Sequence, residues 1–399
     1  MFLPIGDSPN PPGTPWVTYL LIGANVLVYL ALLPLSTRPP DPADPAFRDY
    51  VQVIAQERHL SLPELRTLAR QVSAYDLFTF EHGLKPAAPE FSDLLMSMFL
   101  HGGFLHLFGN MLFLWIYGDN VEHRLGRAGF LLAYLATGVA ASGGDGLLRM
   151  GSAIPSVGAS GAISGVLGFY FLWFPRNRVR VWVFLFPFIA NVVELPARLV
   201  LGFFIIIENF LPLVLTAGAG GVSYGAHLGG FVAGGAAAWL LDRLSQARPE
   251  RVLRPAAVAG TPPPAAGAVQ RFRDALDTGG WEAAAGWYFA APHAATRHAV
   301  SPLEKIRLGH ALVTHGHPRA ALAAYQRALA DHPTGPGRAA AHLGAARVLM
   351  EALGNPTGAY QHLYAALEEH PSPAEAAEAR ELLAALAGLL GALPRNLPN

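Results

Sequence analysis

Gly158-Ala159-Ser160-Gly161 and Gly225-Ala226-His227-Leu228-Gly229-Gly230 decide how this chain is read. Each opens an apolar run, and each sets one chemically competent side chain among residues with almost no bulk. Polar and ionisable groups are costly in hydrocarbon, so a histidine inside such a run is a functional candidate from the outset. Glycine frames let two helices touch backbone to backbone, which would bring Ser160 and His227 within hydrogen-bond reach. A third frame, His106-Leu107-Phe108-Gly109-Asn110, lies on an earlier apolar run. Its His106 and Asn110 are four residues apart and share a helical face.

Working outward, the composition describes a membrane protein with something soluble attached. Hydrophobic residues make up 52% of the chain and charged residues only 14%, against about 25% in a soluble domain. Most of residues 86–240 is apolar, whereas 269–399 reads as an ordinary helical domain. The formal net charge is zero, so the basic field of a nucleic-acid binder is missing. Cysteine is absent, which excludes disulfides, thiol catalysis and cysteine-ligated zinc. The chemistry read below needs no metal and no cofactor.

A bilayer crossing takes about 20 mostly apolar residues. Six crossings are expected, at about 16–34, 105–123, 127–146, 160–174, 196–215 and 224–241, with five or seven as the neighbouring counts. No Lys or Arg precedes the first, so it lacks the basic region of a signal peptide. Residues 181–215 are too many for one crossing and have no polar turn for two. Pro187 and Glu194-Leu195-Pro196-Ala197-Arg198 therefore read as an interfacial piece before the fifth.

Arginine sets the orientation. Arg124 and Arg127, then Arg176, Arg178 and Arg180, then Arg243, Arg248, Arg251 and Arg254 fall in alternate connections. The opposite short loops hold only Arg149. The positive-inside rule makes the arginine-rich side cytoplasmic and puts both termini there. The N-terminal tail has no cation and the loop from Arg38 to about Phe91 has several, but that loop is long and mixes its charges. Within it, Asp49–Leu68 has a partly amphipathic helical pattern and Gly83–Pro89 reads as a turn.

On this topology Ser160 and His227 begin their helices just below the outer surface, where water reaches them. Peptide hydrolysis needs a nucleophile, a base within reach, an oxyanion site and water. Ser160 is the expected nucleophile and His227 the base that later protonates the leaving amine. No acidic residue is placed to orient the histidine, so a dyad is expected in place of a triad. The Ser160 backbone N–H at a helix N-terminus would receive the oxyanion, with His106 and Asn110 as side-chain donors. Ser164, one turn deeper, is the rival nucleophile. Gly158, Gly161, Gly165 and Gly168, facing Ala226, Gly230 and Gly234, are expected to pack the two helices together.

These frames in combination resemble the rhomboid family of intramembrane serine proteases, of bacterial type, over roughly residues 1–245. The resemblance implies an all-α bundle of six transmembrane helices in the lipid bilayer of a cell membrane. It implies endoproteolysis of single-span membrane proteins near the outer face, at helices that unwind easily, and it implies oxyanion roles for His106 and Asn110. Gly118-Asp119-Asn120-Val121-Glu122-His123-Arg124-Leu125-Gly126 is similar to the family's turn after the second span, where Glu122 and Arg124 would be structural. His101, in Phe99-Leu100-His101-Gly102-Gly103, matches a family position and is also expected to be structural. One departure matters: many family members carry, four residues after the nucleophile, an aromatic that supports the histidine ring. This chain has Ser164 there, and Tyr224 is the candidate replacement.

After the sixth span the chain changes character. Residues 246–268, with Pro262-Pro263-Pro264, read as a semi-rigid linker. Beyond it, His317-Pro318-Arg319-Ala320-Ala321 recurs as Asn355-Pro356-Thr357-Gly358-Ala359. Ala328-Leu329-Ala330-Asp331-His332-Pro333 recurs as Ala366-Leu367-Glu368-Glu369-His370-Pro371. The pattern looks like tetratricopeptide repeats in a helical domain over 269–399. Flanking helices over Phe272–Ala291, burying Trp281 and Trp287, and over Ala374–Leu390 would complete its core. Such stacks bind proteins, so a cytoplasmic partner or self-association is expected of 269–399. His315, His317, His332 and His370 are too scattered for a metal site.

Three readings compete. An intramembrane serine protease uses every frame. A catalytically inactive rhomboid-like factor that binds or routes membrane proteins leaves both Ser160 and His227 without purpose. Other membrane chemistries lack their motifs: there is no His-Glu-x-x-His, no second intramembrane aspartate for Asp145, and no repeated halves with broken helices.

Overall fold

Alternation of Arg178, Arg180, Trp182 and Phe184 with Val179, Val181 and Val183 has the period of a strand, and a strand is what it forms. The computed structural model describes residues 2–11, 13–41, 43–185, 189–216, 222–247, 265–290 and 298–390. It divides into two compact units, Met1–Asp7 with Gly13–Trp239, and Ser8–Pro12 with Leu240–Asn399.

The first unit is mainly helical but not all-α. β2 (Arg178–Leu185) pairs antiparallel with β3 (Ile189–Pro196), and β1 (Phe2–Ser8) adds to β2 in a three-stranded sheet. The segment expected to be interfacial is thus a hairpin. Val179 and Val181 are buried in the core while Arg180 faces out, which is the physical reason for the strand. β1 is anchored by Asp7, buried against the bundle: its carboxylate accepts from Asn120 Nδ2 at 3.0 Å and from the Tyr170 hydroxyl.

Helices make up the rest of the unit and most of its core. α1 (Trp16–Leu32) begins without a cap of its own. The buried Glu122 supplies one, accepting from Val17 N (3.0 Å), Thr18 N (2.7 Å) and Thr18 Oγ1 (2.8 Å). A carboxylate at a helix N-terminus satisfies orphan donors and opposes the helix dipole. The expected structural part of Glu122 is therefore a helix cap, while the Arg124 guanidinium lies 4.2 Å from the Trp173 ring centre.

The connection that follows folds into α2 (Pro45–Glu57), α3 (Leu62–Gln71), α4 (Ala74–His82) and α5 (Phe91–Met96). The single pattern expected over Asp49–Leu68 breaks at His59, whose φ is +51°. Asp44, Ser61 with Glu64, and Ser73 with Asp76 cap the pieces. Then come α6 (Phe104–Leu125), α7 (Arg127–Leu148), α8 (Ser160–Trp173), α9 (Ala197–Ile205), a π-helical turn (Ile206–Phe210), α10 (Leu211–Thr216) and α11 (Tyr224–Ala247).

Six crossings do not follow from these lengths. Among the described residues, Trp16–Thr37, Arg127–Leu148 and Ala197–Leu215 are long and apolar enough to cross a membrane. Phe91–Phe99 with Phe104–Leu125, bent by 89°, would make a fourth. α8 is apolar but short, and glycines with His227 dilute the apolarity of α11.

α8 and α11 meet through glycine. A methyl on Gly230 would lie 2.1 Å from the Gly161 carbonyl oxygen, and one on Gly234 would lie 1.9 Å from that of Gly165. On Gly168 it would strike the Phe231 carbonyl oxygen at 2.2 Å. The α8 glycines also serve α7: Gly161 faces Ala141 and Gly165 faces Thr137. Backbones this close admit no side chain between them.

The second unit is a stack of helices: α12 (Ala265–Asp277), α13 (Trp281–Ala290), α14 (Pro302–Thr314), α15 (Pro318–Asp331), α16 (Arg338–Arg347, continued by a π turn), α17 (Pro356–Glu368) and α18 (Pro373–Leu390). The expected repeat is visible in α15 and α17, which start at Pro318 and Pro356 behind His317 and Asn355. The helix expected over Phe272–Ala291 is two, broken where Gly279 takes φ +76°. Phe272 and Tyr288 are the buried aromatics there, whereas Trp281 and Trp287 are only partly covered. Most of the linker, including Pro262-Pro263-Pro264, and Pro187 of the hairpin lie outside the described residues.

Candidate active site

Gly158 takes φ +128°, a conformation that L side chains rarely adopt, and it turns the chain into α8. Ser160 is thereby the first residue of that helix. His227 sits in the first turn of α11, its N–H bonded to the Ser223 carbonyl at 3.2 Å. The glycine contacts hold the two helices together, and His227 Nε2 lies 2.8 Å from Ser160 Oγ. Ser164, though buried, makes no such contact.

The other nitrogen of the ring is also engaged: His227 Nδ1 lies 2.5 Å from Asn209 Oδ1 on the π-helical turn. Sequence reasoning missed this residue. Nor does Tyr224 supply the ring expected beside the histidine. Phe204 of α9 does, with ring centres 6.4 Å apart and planes 34° from parallel.

His106 and Asn110 face the backbone that leads into Ser160. A methyl on Gly158 would come 2.8 Å from His106 Nε2 and 3.7 Å from Asn110 Nδ2. The Gly102 N–H donates to His106 Nδ1 at 3.4 Å, which leaves Nε2 to carry the proton and act as donor. Asn110 Nδ2 is buried and has no hydrogen-bond partner among the described residues. A buried donor without an acceptor is costly at rest and is suited to receive one. His101 is fully buried beside His106, and its carbonyl accepts from the Tyr75 hydroxyl, a packing role.

Asp145, buried at the end of α7, ties the segments entering α8 and α11 together. It accepts from Ser156, two residues before Gly158, and from Ser223 at the entrance to α11. Arg149 pairs with it at 3.3 Å. The long connection joins in: Glu57 of α2 accepts from Ser152 Oγ (2.7 Å) and Ala153 N (2.5 Å), and Leu84 bridges Ser156. A cavity of about 1170 Å³ is lined by residues of this assembly, among them Glu57, Arg149, Ser152, Ser156 and Ser223. Its lining includes Tyr50 and Phe80 of the long connection together with Phe113, Ser160 and His227.

Residues 88–244 match the family model of the rhomboid domain. The first unit carries a rhomboid domain over these residues. Residues 306–374 match a tetratricopeptide repeat model, so the rhomboid domain is followed by a repeat region. The chain is similar to Rhomboid protein 1, mitochondrial, of Saccharomyces cerevisiae, 32% identical over 41% of this chain and 45% of that protein. It is similar to Rhomboid-like protein 11, chloroplastic, of Arabidopsis thaliana, 31% identical over 40% of this chain and 55% of that one. Rhomboid protease GluP of Bacillus subtilis is 45% identical over 21% of this chain and 16% of its own length. The chain thus spans about half the length of the first two. No solved structure matches it. The rhomboid domain makes this a membrane protein, with relatives in organelles as well as in a bacterium.

Proposed function

We propose that the chain is an intramembrane serine endopeptidase that hydrolyses single-span membrane proteins near the outer membrane face. The 2.8 Å contact between Ser160 Oγ and His227 Nε2 carries this reading. Ser160 Oγ attacks the carbonyl carbon as His227 Nε2 takes its proton. The tetrahedral oxyanion is received by the Ser160 N–H, His106 Nε2–H and Asn110 Nδ2–H. Collapse breaks the C–N bond, and His227 gives its proton to the departing amine. Water, deprotonated by His227, then releases the acyl group and restores Ser160.

Six crossings with cytoplasmic termini, in a plasma membrane, fit this chemistry. Support comes from parity: β1 pairs with β2, and Glu122 caps α1, so the N-terminus, the α6–α7 turn and the arginine-bearing hairpin share one side. The Asp145–Ser156–Ser223 cluster gathers the opposite ends. Residues 1–245 form the protease, 246–268 the linker, and 269–399 a domain for protein interaction or self-association.

The test is cleavage of a generic single-span substrate by detergent-purified protein beside Ser160→Ala and His227→Ala. Both substitutions should abolish cleavage. Cleavage that survives Ser160→Ala points to Ser164 and removes the assignment. A folded wild type inert on several substrates favours the inactive binding factor.

A further inference from the structure

We propose that Asn209 is the positioning residue for His227, holding the imidazole in the tautomer and plane from which Nε2 takes the Ser160 proton. The inference rests on the protease reading and deepens it from a dyad to a three-residue relay of contacts. Its geometry fixes the sense of every hydrogen bond. Asn209 Nδ2 donates to the Phe204 carbonyl oxygen at 2.8 Å, an atom that can only accept. The amide nitrogen is therefore committed, and the end turned to His227 is the oxygen. An oxygen 2.5 Å from Nδ1 requires the proton to be on Nδ1. In the neutral ring Nε2 then carries the lone pair, and it is Nε2 that faces Ser160 Oγ.

The backbone is arranged for this contact. Asn209 is 2% exposed, while Ile206 and Phe210 of the same turn are 55% and 53% exposed. The π-helical turn over Ile206–Phe210 inserts one residue into the helical register, and such turns recur at functional sites. It lets an amide point into the bundle from a segment whose neighbours face outward. Burial also keeps water from competing for Nδ1.

An asparagine in a membrane helix can be mere interhelical glue. Glue would bond any acceptor and would matter to stability alone. A positioning role affects turnover. When His227 becomes the imidazolium, Nδ1–H continues to donate to Asn209 Oδ1 and no proton passes to the amide. A neutral amide gives orientation without a countercharge. Its loss should therefore cost less than the roughly 10⁴-fold lost when a triad's carboxylate is disabled.

The experiment compares wild type, Asn209→Ala and Asn209→Asp in the full-length protein, measuring kcat, KM, the pH profile of kcat and thermal stability. Asn209→Ala should lower kcat about tenfold to a hundredfold with little change in KM. Asn209→Asp should restore most of the rate. Its carboxylate favours the imidazolium, so the base stays protonated to higher pH and the acid limb moves up by about one unit or more. His106 and Asp145, the other titratable groups acting on His227, are common to all three proteins. An unchanged kcat in Asn209→Ala, or an acid limb unmoved in Asn209→Asp, overturns the inference. If Asn209→Ala does not fold, Asn209→Asp decides alone. Failure of the protease reading looks different: wild type is then inert, or Ser160→Ala still cleaves.

Discussion

The membrane unit and the repeat unit both put glycine where helices meet, for opposite reasons. In the membrane unit Gly230 and Gly234 make room for another backbone, the carbonyls of Gly161 and Gly165. In the repeat unit Gly309 of α14 and Gly344 of α16 make room for a ring. A methyl on either would come within 2.5 Å of the Tyr325 side chain, which α15 inserts between them. Lipid offers no hydrophobic drive to bring helices together, so close van der Waals contact must do it. In water, removing a large aromatic surface from solvent is itself the drive. The same residue type thus serves contact in one solvent and volume in the other.

Two substitutions test that contrast, and a third probes the repeat unit alone. Gly230→Leu has the largest expected effect, because no rotamer avoids a carbonyl oxygen 2.1 Å from its Cβ. α8 and α11 must separate, and cleavage should vanish with the Ser160–His227 contact. A folded Gly230→Leu protein with normal turnover would break the comparison. Tyr325→Ala should destabilise the repeat unit by about 3–5 kcal/mol, the range for truncating a buried aromatic. Denaturant unfolding followed by circular dichroism reads this, and a loss under about 1 kcal/mol would mean that the glycines do not serve the ring.

The smallest effect is electrostatic and belongs to the repeat unit alone. Burial pushes the Glu304 carboxyl up, but hydrogen bonds from Arg273 and from the Ser301 cap outweigh it and hold it below its ordinary value. A depressed carboxyl lends stability above the ordinary carboxylate range, and this is lost as pH falls through its folded value. Glu304→Gln should lower stability at neutral pH and change little in acid, where Glu304 is already protonated, so the acid side of the stability profile flattens. An unaltered acid side would remove Glu304 from the account.

How much of this is legible in the sequence depends on whether a residue's partner lies in its own frame. Ser160, His227 and the glycines carry their context beside them, and the spacing of small residues by itself implies close helices. His106 and Asn110 share a face by simple periodicity. Asn209 does not announce itself: in Ile206-Ile207-Glu208-Asn209-Phe210 it reads as one polar residue in an apolar run, and only the π turn aims it at His227. Asp145 reads as a lone acid because Ser156 and Ser223 reach it from distant segments. The hairpin is the avoidable miss, since Arg-Val-Arg-Val-Trp-Val-Phe alternates as a strand does. Length and apolarity alone do not yield all six expected crossings, for a physical reason: helices that touch through glycine gain contact at the expense of apolarity.

The sheet has a consequence for biogenesis. β1 precedes α1 in the chain, yet its partner β2 is made only after α8 is complete. Until then the N-terminal strand has an open edge and Asp7 lacks Tyr170. The N-terminal strand waits for β2 while α1 to α8 are made. Its closure onto β2 therefore joins segments that α1 to α8 separate in the chain, and Asp7 finds Tyr170 only when α8 is in place.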